Sequence, residues 1–211
     1  MKKQLSLIVL STLLSTTALN AQAEGITNPF SENGEAVKYY LGAGIGAGKQ
    51  SGTCEENFIN DPSCDDSGVS YKLYGGARLN PMFGIEGGYR SFNDTKISGT
   101  DGSGNATSLE KSISGYDVEA VRFFPVTQEI ELFGKAGLMK WNQDTVKNET
   151  IGTTENSEDS VSLLLGGGAE YKMNDNIKLR GEWERVFNTG GTNSSETDID
   201  MITAGVTFSA F

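Results

Sequence analysis

The stretch 177–187, IKLRGEWERVF, alternates along its whole length. Ile177, Leu179, Gly181, Trp183 and Phe187 share one parity with Arg185, while Lys178, Arg180, Glu182 and Glu184 occupy the other. A β-strand sends successive side chains to opposite faces, so this stretch reads as a wall that is apolar on one side and charged on the other. Seven further stretches carry a comparable alternation, at 37–48, 69–79, 83–90, 113–124, 130–139, 161–172 and 201–211. In the first of them Val37, Tyr39, Leu41, Ala43, Ile45 and Ala47 alternate with Lys38, Tyr40 and a run of glycines. Gly is abundant at 27 and Pro scarce at 4. No helical stripe of useful length interrupts the pattern, which predicts an all-β chain.

The connections decide which way the apolar faces point. Three are short, at Asn80-Pro81, at 125–128 and at 174–176; four are long and polar, at 48–68, 93–111, 142–160 and 188–200. Short and long alternate strictly along the chain. A soluble eight-stranded barrel has no reason to segregate its loops this way, and it would turn its apolar residues inward. Strands of about ten residues match a tilted membrane crossing. The pattern therefore predicts, over 37–211, an eight-stranded antiparallel up-and-down transmembrane β-barrel with its apolar faces in lipid. Short turns would be periplasmic and the four long loops extracellular.

The beginning of the chain fits an exported protein. Lys2 and Lys3 precede an apolar run over about 5–14, and Ala21-Gln22-Ala23 supplies small residues at a cleavage site. This is the pattern of a secretory signal over 1–23, cleaved after Ala23, with 24–36 left as a short periplasmic lead. No run of 18 apolar residues follows it, so no transmembrane helix is expected. Cys54 and Cys64 both fall in the first long loop. In an exported chain they favour a disulfide staple, about 2–3 kcal/mol by the chain-entropy account, over metal binding by two thiols.

The first stretch, YYLGAGIGAG, the two hairpins YGGARLNPMFGIEGGYR and RFFPVTQEIELFGKAG, and the terminal Phe211 occur in that order. Together they resemble the OmpA-like and OmpX-like family of small eight-stranded outer-membrane barrels. The resemblance implies an integral place in the bacterial outer membrane, contact with its lipid and lipopolysaccharide, and assembly through periplasmic chaperones and the barrel-assembly machinery. It also implies a C-terminal assembly signal, carried here by Phe208 and Phe211. Ile202, Ala204, Val206 and Phe208 share a parity that Phe211 does not, so a local bulge would have to restore the phase. GAGIGA also matches the dinucleotide fingerprint G-x-G-x-x-A, which requires a strand before it and a helix after it. Here the glycines keep period two inside the apolar alternation. They are read instead as inner-face glycines that let bulky neighbours pack across a narrow lumen.

Charge separates the lumen from the loops. Inner parity collects Lys72, Arg78, Arg90, Lys135, Lys172, Lys178 and Arg180 against Glu86, Asp117, Glu119, Glu131, Glu170, Glu182 and Glu184. Eight strands enclose a space just wide enough for side chains to fill, so a balanced, paired plug and a closed lumen are expected. The four long loops hold 16 acidic and 4 basic residues, a net of −12 in a mature chain of −13. Such a surface suits divalent cations or cationic ligands, although runs of like charge are usually just solvated. His is absent, which removes the usual base for a barrel-embedded hydrolase. The expected role is a structural or surface-interaction barrel without cofactor, metal or nucleic-acid partner, monomeric, meeting a host or cell-surface ligand through its loops. The alternatives are a narrow porin-like channel and an adhesin or colonisation factor. Processing gives the first test: the mature protein recovered from membranes should begin at Glu24, read by N-terminal sequencing or intact mass, and retention of Met1 would contradict the leader.

Overall fold

A computed structural model of the chain describes residues 37–51, 60–65, 67–92, 94–100, 104–149, 152–189 and 197–209. The leader 1–23, the lead 24–36, Cys54 and Phe211 lie outside these described residues. Among the described residues ten strands are formed: β1 Lys38–Gln50, β2 Asn60–Asp65, β3 Ser67–Arg78, β4 Phe83–Ser91, β5 Thr95–Thr100, β6 Ala106–Pro125, β7 Ile130–Glu149, β8 Gly152–Lys172, β9 Ile177–Thr189 and β10 Thr197–Ser209. Eight of them close a ring, β1-β3-β4-β6-β7-β8-β9-β10, in which every neighbour is antiparallel and β10 returns to β1. The remaining two extend the sheet above the ring: β5 takes up the edge of β6 that β4 leaves at Ser114, and β2 pairs with β5.

The wall is inside-out with respect to a soluble protein. Leu41 is 69 % exposed, Ile45 63 %, Tyr116 70 % and Ile202 65 %, whereas Glu86, Glu119 and Glu184 are each 1 % exposed. Arg180, Glu182 and Glu184 of β9 face the interior, while Leu179 and Trp183 face out. That is the arrangement demanded when lipid, not water, bathes the outer face.

Three strands outrun the lengths expected from hydropathy. β6 begins at Ala106, β7 runs on to Glu149, and β8 starts at Gly152, so the stretch 142–160 is a continuing ladder from Asn142↔Asp159 to Glu149↔Gly152 rather than an irregular loop. Alternating hydrophobicity stops where lipid stops, but an antiparallel ladder needs no apolar face once water lies on both sides. Thr145, Val146, Thr153 and Thr154 suit such a ribbon. The polar stretches at 48–68 and 93–111 likewise contain β2 and β5.

The three short connections share one device. Asn80 Oδ1 accepts from the amides of Met82 (2.9 Å) and Phe83 (2.8 Å), and Asn174 Oδ1 accepts from those of Asn176 (3.0 Å) and Ile177 (2.9 Å). Thr127 Oγ1 does the same for Glu129 (3.1 Å) and Ile130 (2.9 Å). Each side chain satisfies backbone donors that a tight turn would leave unpaired.

GAGIGA lies wholly within β1, and the strand continues past it to Gln50, so the helix needed for dinucleotide binding is not formed there. Its first glycine has a packing role. A Cβ on Gly42 would lie 2.2 Å from the Tyr74 ring, and one on Gly76 would lie 2.3 Å from the Tyr40 ring. Each tyrosine thus lies over its own glycine partner across the β1–β3 ladder. Gly42→Ala should displace Tyr74 and its 2.7 Å bond to Thr207 Oγ1, costing about 1–3 kcal/mol by overpacking. Gly181→Ala, where a Cβ meets nothing within 4 Å, should leave the urea midpoint of the vesicle-embedded barrel unchanged.

Candidate functional site

The interior is filled in tiers, each following from which strand positions turn inward. Toward the short turns, Tyr40, Tyr74, Val121, Phe123 and Phe133 form an aromatic tier. On the side of the long connections, Phe92, Ile113, Met139, Trp141, Leu164, Val186, Ile199 and Met201 form a second, apolar one. The charged residues lie between and around the first tier.

Thirteen of those charged residues make one continuous chain of ion pairs. Arg78 pairs with Glu131, which also receives Lys178 (3.2 Å); Lys178 reaches Glu170 at 2.6 Å. Arg180 joins Glu170 (3.5 Å) to Glu86 (2.5 Å) and Glu182 (3.1 Å). Glu182 then receives Lys72 and, at 2.9 Å, Lys135. Glu184 collects Lys72 (3.4 Å), Arg90 (2.5 Å) and Lys135. Arg90 continues to Asp117 and to Glu119 (2.7 Å), and Glu119 returns to Lys135 at 3.2 Å. The rings of the aromatic tier cover the cations: Arg78 lies 4.0 Å from the Phe123 ring centre, and Arg180 lies 4.1 Å from that of Phe133 and 4.6 Å from that of Tyr74.

Lys172 stands apart. Inner parity assigns it to the lumen, but it lies at the last position of β8, exposed, and pairs with Asp175 of the following turn at 2.8 Å. At the mouth of the barrel the turn offers a carboxylate in water, which avoids the cost of burying the ammonium. The hydrogen bond from Lys172, with its charge, holds the Asp175 carboxyl below the usual carboxylate range. The buried set is therefore six cations and seven carboxylates, not seven of each.

A cavity of about 590 Å³ opens at the short-turn mouth, lined by Lys38, Tyr40, Arg78, Phe123, Glu131 and Lys178 among others. Tyr40 and Phe123 are the members of the aromatic tier that line it. The upper apolar tier was not singled out from sequence. Its signal was present, since Met139, Trp141 and Gln143 continue the inner parity of Glu131, Phe133 and Lys135, but part of it fell in stretches read as loops. Trp141 donates its indole N–H to Ser162 Oγ at 2.8 Å, so even this tier leaves the ring nitrogen satisfied.

Phe208 faces outward, 56 % exposed, in phase with Ile202. Cys64 packs against Ile97 and Leu109 in a small cluster on the outer ribbon. Arg185, the polar residue on the apolar parity of β9, makes a two-pronged pair with Asp200 of β10 at 2.9 and 2.6 Å. The indole of Trp183 donates to the same carboxylate at 3.0 Å. Arg185 is thus neutralised within the wall.

The model of the OmpA-like transmembrane domain matches residues 34–211. The chain belongs to that family. Outer membrane protein A of Salmonella typhi is 27 % identical over 174 residues, which is 81 % of this chain and 47 % of that protein. The chain thus spans about half the length of the curated relatives it matches. Among solved structures, Neisserial surface protein A superposes with a TM-score of 0.54 at 15 % identity, covering 82 % of this chain and 99 % of the other. The outer membrane protein OprG of Pseudomonas aeruginosa gives 0.50 at 11 % identity, with 83 % and 97 % covered. At these identities the structures share the fold. The family and the inside-out barrel place the chain in the bacterial outer membrane.

Removing one member of a buried network leaves its partners unpaired, at about 3–5 kcal/mol. Glu184→Gln, which strips charge from a group facing Lys72, Arg90 and Lys135, should therefore lower the barrel's unfolding free energy by about 3 kcal/mol or more. Asp200→Asn at the rim should cost under about 1 kcal/mol. Urea titration in phospholipid vesicles, followed by tryptophan emission, compares the two; equal effects would argue against an interdependent lumen.

Proposed function

We propose that this chain is a structural or surface-interaction protein of the outer membrane, with a closed lumen and an acidic extracellular face. On this reading it is delivered by the cleaved leader 1–23, through periplasmic chaperones and the barrel-assembly machinery. One observation carries the closed-lumen reading: the chain of ion pairs through Arg78, Arg180, Lys135 and Arg90 is overlaid by the apolar tier of Met139, Trp141 and Leu164. A hydrated ion entering from outside must pass apolar side chains before it reaches charges already matched to partners. The charged loops support the second half of the reading. The β7–β8 ribbon carries Glu155 and Asp159 exposed to water, with Glu158 half-buried between them, and a ribbon so placed can meet a host or cell-surface ligand. A disulfide between Cys54 and Cys64 would fasten the first extracellular connection.

In planar bilayers the protein should give no steady current; a stable porin-like conductance would overturn the closed lumen. Cutting the ribbons back to the barrel rim should keep the heat-modifiable gel mobility of a folded barrel while abolishing adhesion to cells or matrix. Adhesion that survives intact would point away from the loops.

A further inference from the structure

The two arginines on the lipid-facing parity are treated differently. Arg185, near the long-connection rim, has Asp200 for a counter-ion. Arg122, near the short-turn rim, has none among the described residues. Its guanidinium lies 5.3 Å from the centre of the Phe83 ring and 5.1 Å from that of Phe124, and the side chain is exposed. On the opposite flank its register partner is Gly134, where even a Cβ would meet nothing within 4 Å. The turn donors that could compete for an anion are already used, by Asn80 on one side and Thr127 on the other.

An unpaired charge on the outer face is costly in hydrocarbon and cheap only at headgroup level. Long side chains reach that level by snorkelling, and three positions separate Arg122 from the end of β6 at Pro125. The abundant anion at that depth, on the side of the short turns, is the phosphate of a phospholipid. A planar guanidinium presents a fork of N–H donors to phosphate and can rest on aromatic faces at the same time. We propose that Arg122, Phe83, Phe124 and the notch at Gly134 form a binding site for a phospholipid phosphate in the periplasmic leaflet. The rings hold the guanidinium, its N–H edge takes the phosphate oxygens, and the bare backbone at Gly134 admits the glycerol portion beside it. This site is independent of the loops and of the closed lumen.

Native mass spectrometry of the folded full-length barrel in detergent, with phosphatidylglycerol added, tests the site. Arg122→Gln should weaken lipid retention about fivefold, the loss of one surface cation's attraction of about 1 kcal/mol. Gly134→Val, which fills the notch without touching the charge, should weaken it as well. Arg185→Gln should leave retention unchanged, because Asp200 already neutralises that arginine. Heat-modifiable mobility establishes that each variant is folded. Inorganic phosphate at millimolar concentration should fail to displace the lipid if the glycerol portion contributes, and ready displacement would show a free-phosphate site instead. Undiminished retention by Arg122→Gln, or an equal loss in Arg185→Gln, would overturn the assignment.

Discussion

Within hydrocarbon, a backbone N–H or C=O that lacks a partner in the protein has none at all, and each costs several kcal/mol. The sheet must therefore close, and the return of β10 onto β1, from Tyr40↔Ser209 to Gln50↔Ile199, is the contact on which everything else depends. Once the ring is shut, one parity of every strand converges on a common axis and the other looks into lipid. Side chains distant in sequence then become neighbours: Arg90 and Glu184 are 94 positions apart, as are Arg180 and Glu86.

Convergence creates an electrostatic problem. Charges brought together without water repay their desolvation only if each finds a well-placed partner. Here the excess of one carboxylate over the cations is spread along a connected chain rather than left on one residue, and Glu184 is shared among three cations. Aromatic rings over Arg78 and Arg180 add contact that an aliphatic tier would not. Such a network repays its desolvation without adding much net stability, while the apolar tier on the side of the long connections contributes ordinary hydrophobic burial.

Much of this was legible along the chain. Alternation at eight stretches and the strict alternation of connection lengths were enough to read the barrel, its inside-out wall and thirteen of the residues that meet in the lumen. The misplaced fourteenth, Lys172, has the right parity but the wrong height: it lies level with the turn, beside Asp175. Parity says which way a side chain points and nothing about how far along the axis it sits. Strand lengths were underestimated at β6, β7 and β8 because the hydropathy signal reports the lipid boundary, while hydrogen bonding carries the ladder beyond it.

The sequence by itself determined the class, because lipid on one side and packed charge on the other impose a period of two that no soluble fold requires in that sense. It determined the turns as well, through Asn80, Thr127 and Asn174, whose side chains act only on residues two or three positions away. Which carboxylate meets which cation, that Arg185 has Asp200 while Arg122 lies against rings, and where the apolar tier sits were decided by tertiary structure alone. Those pairings depend on register and shear between strands far apart in the chain, and a side chain's distance from a partner across a closed ring is not encoded in any local pattern.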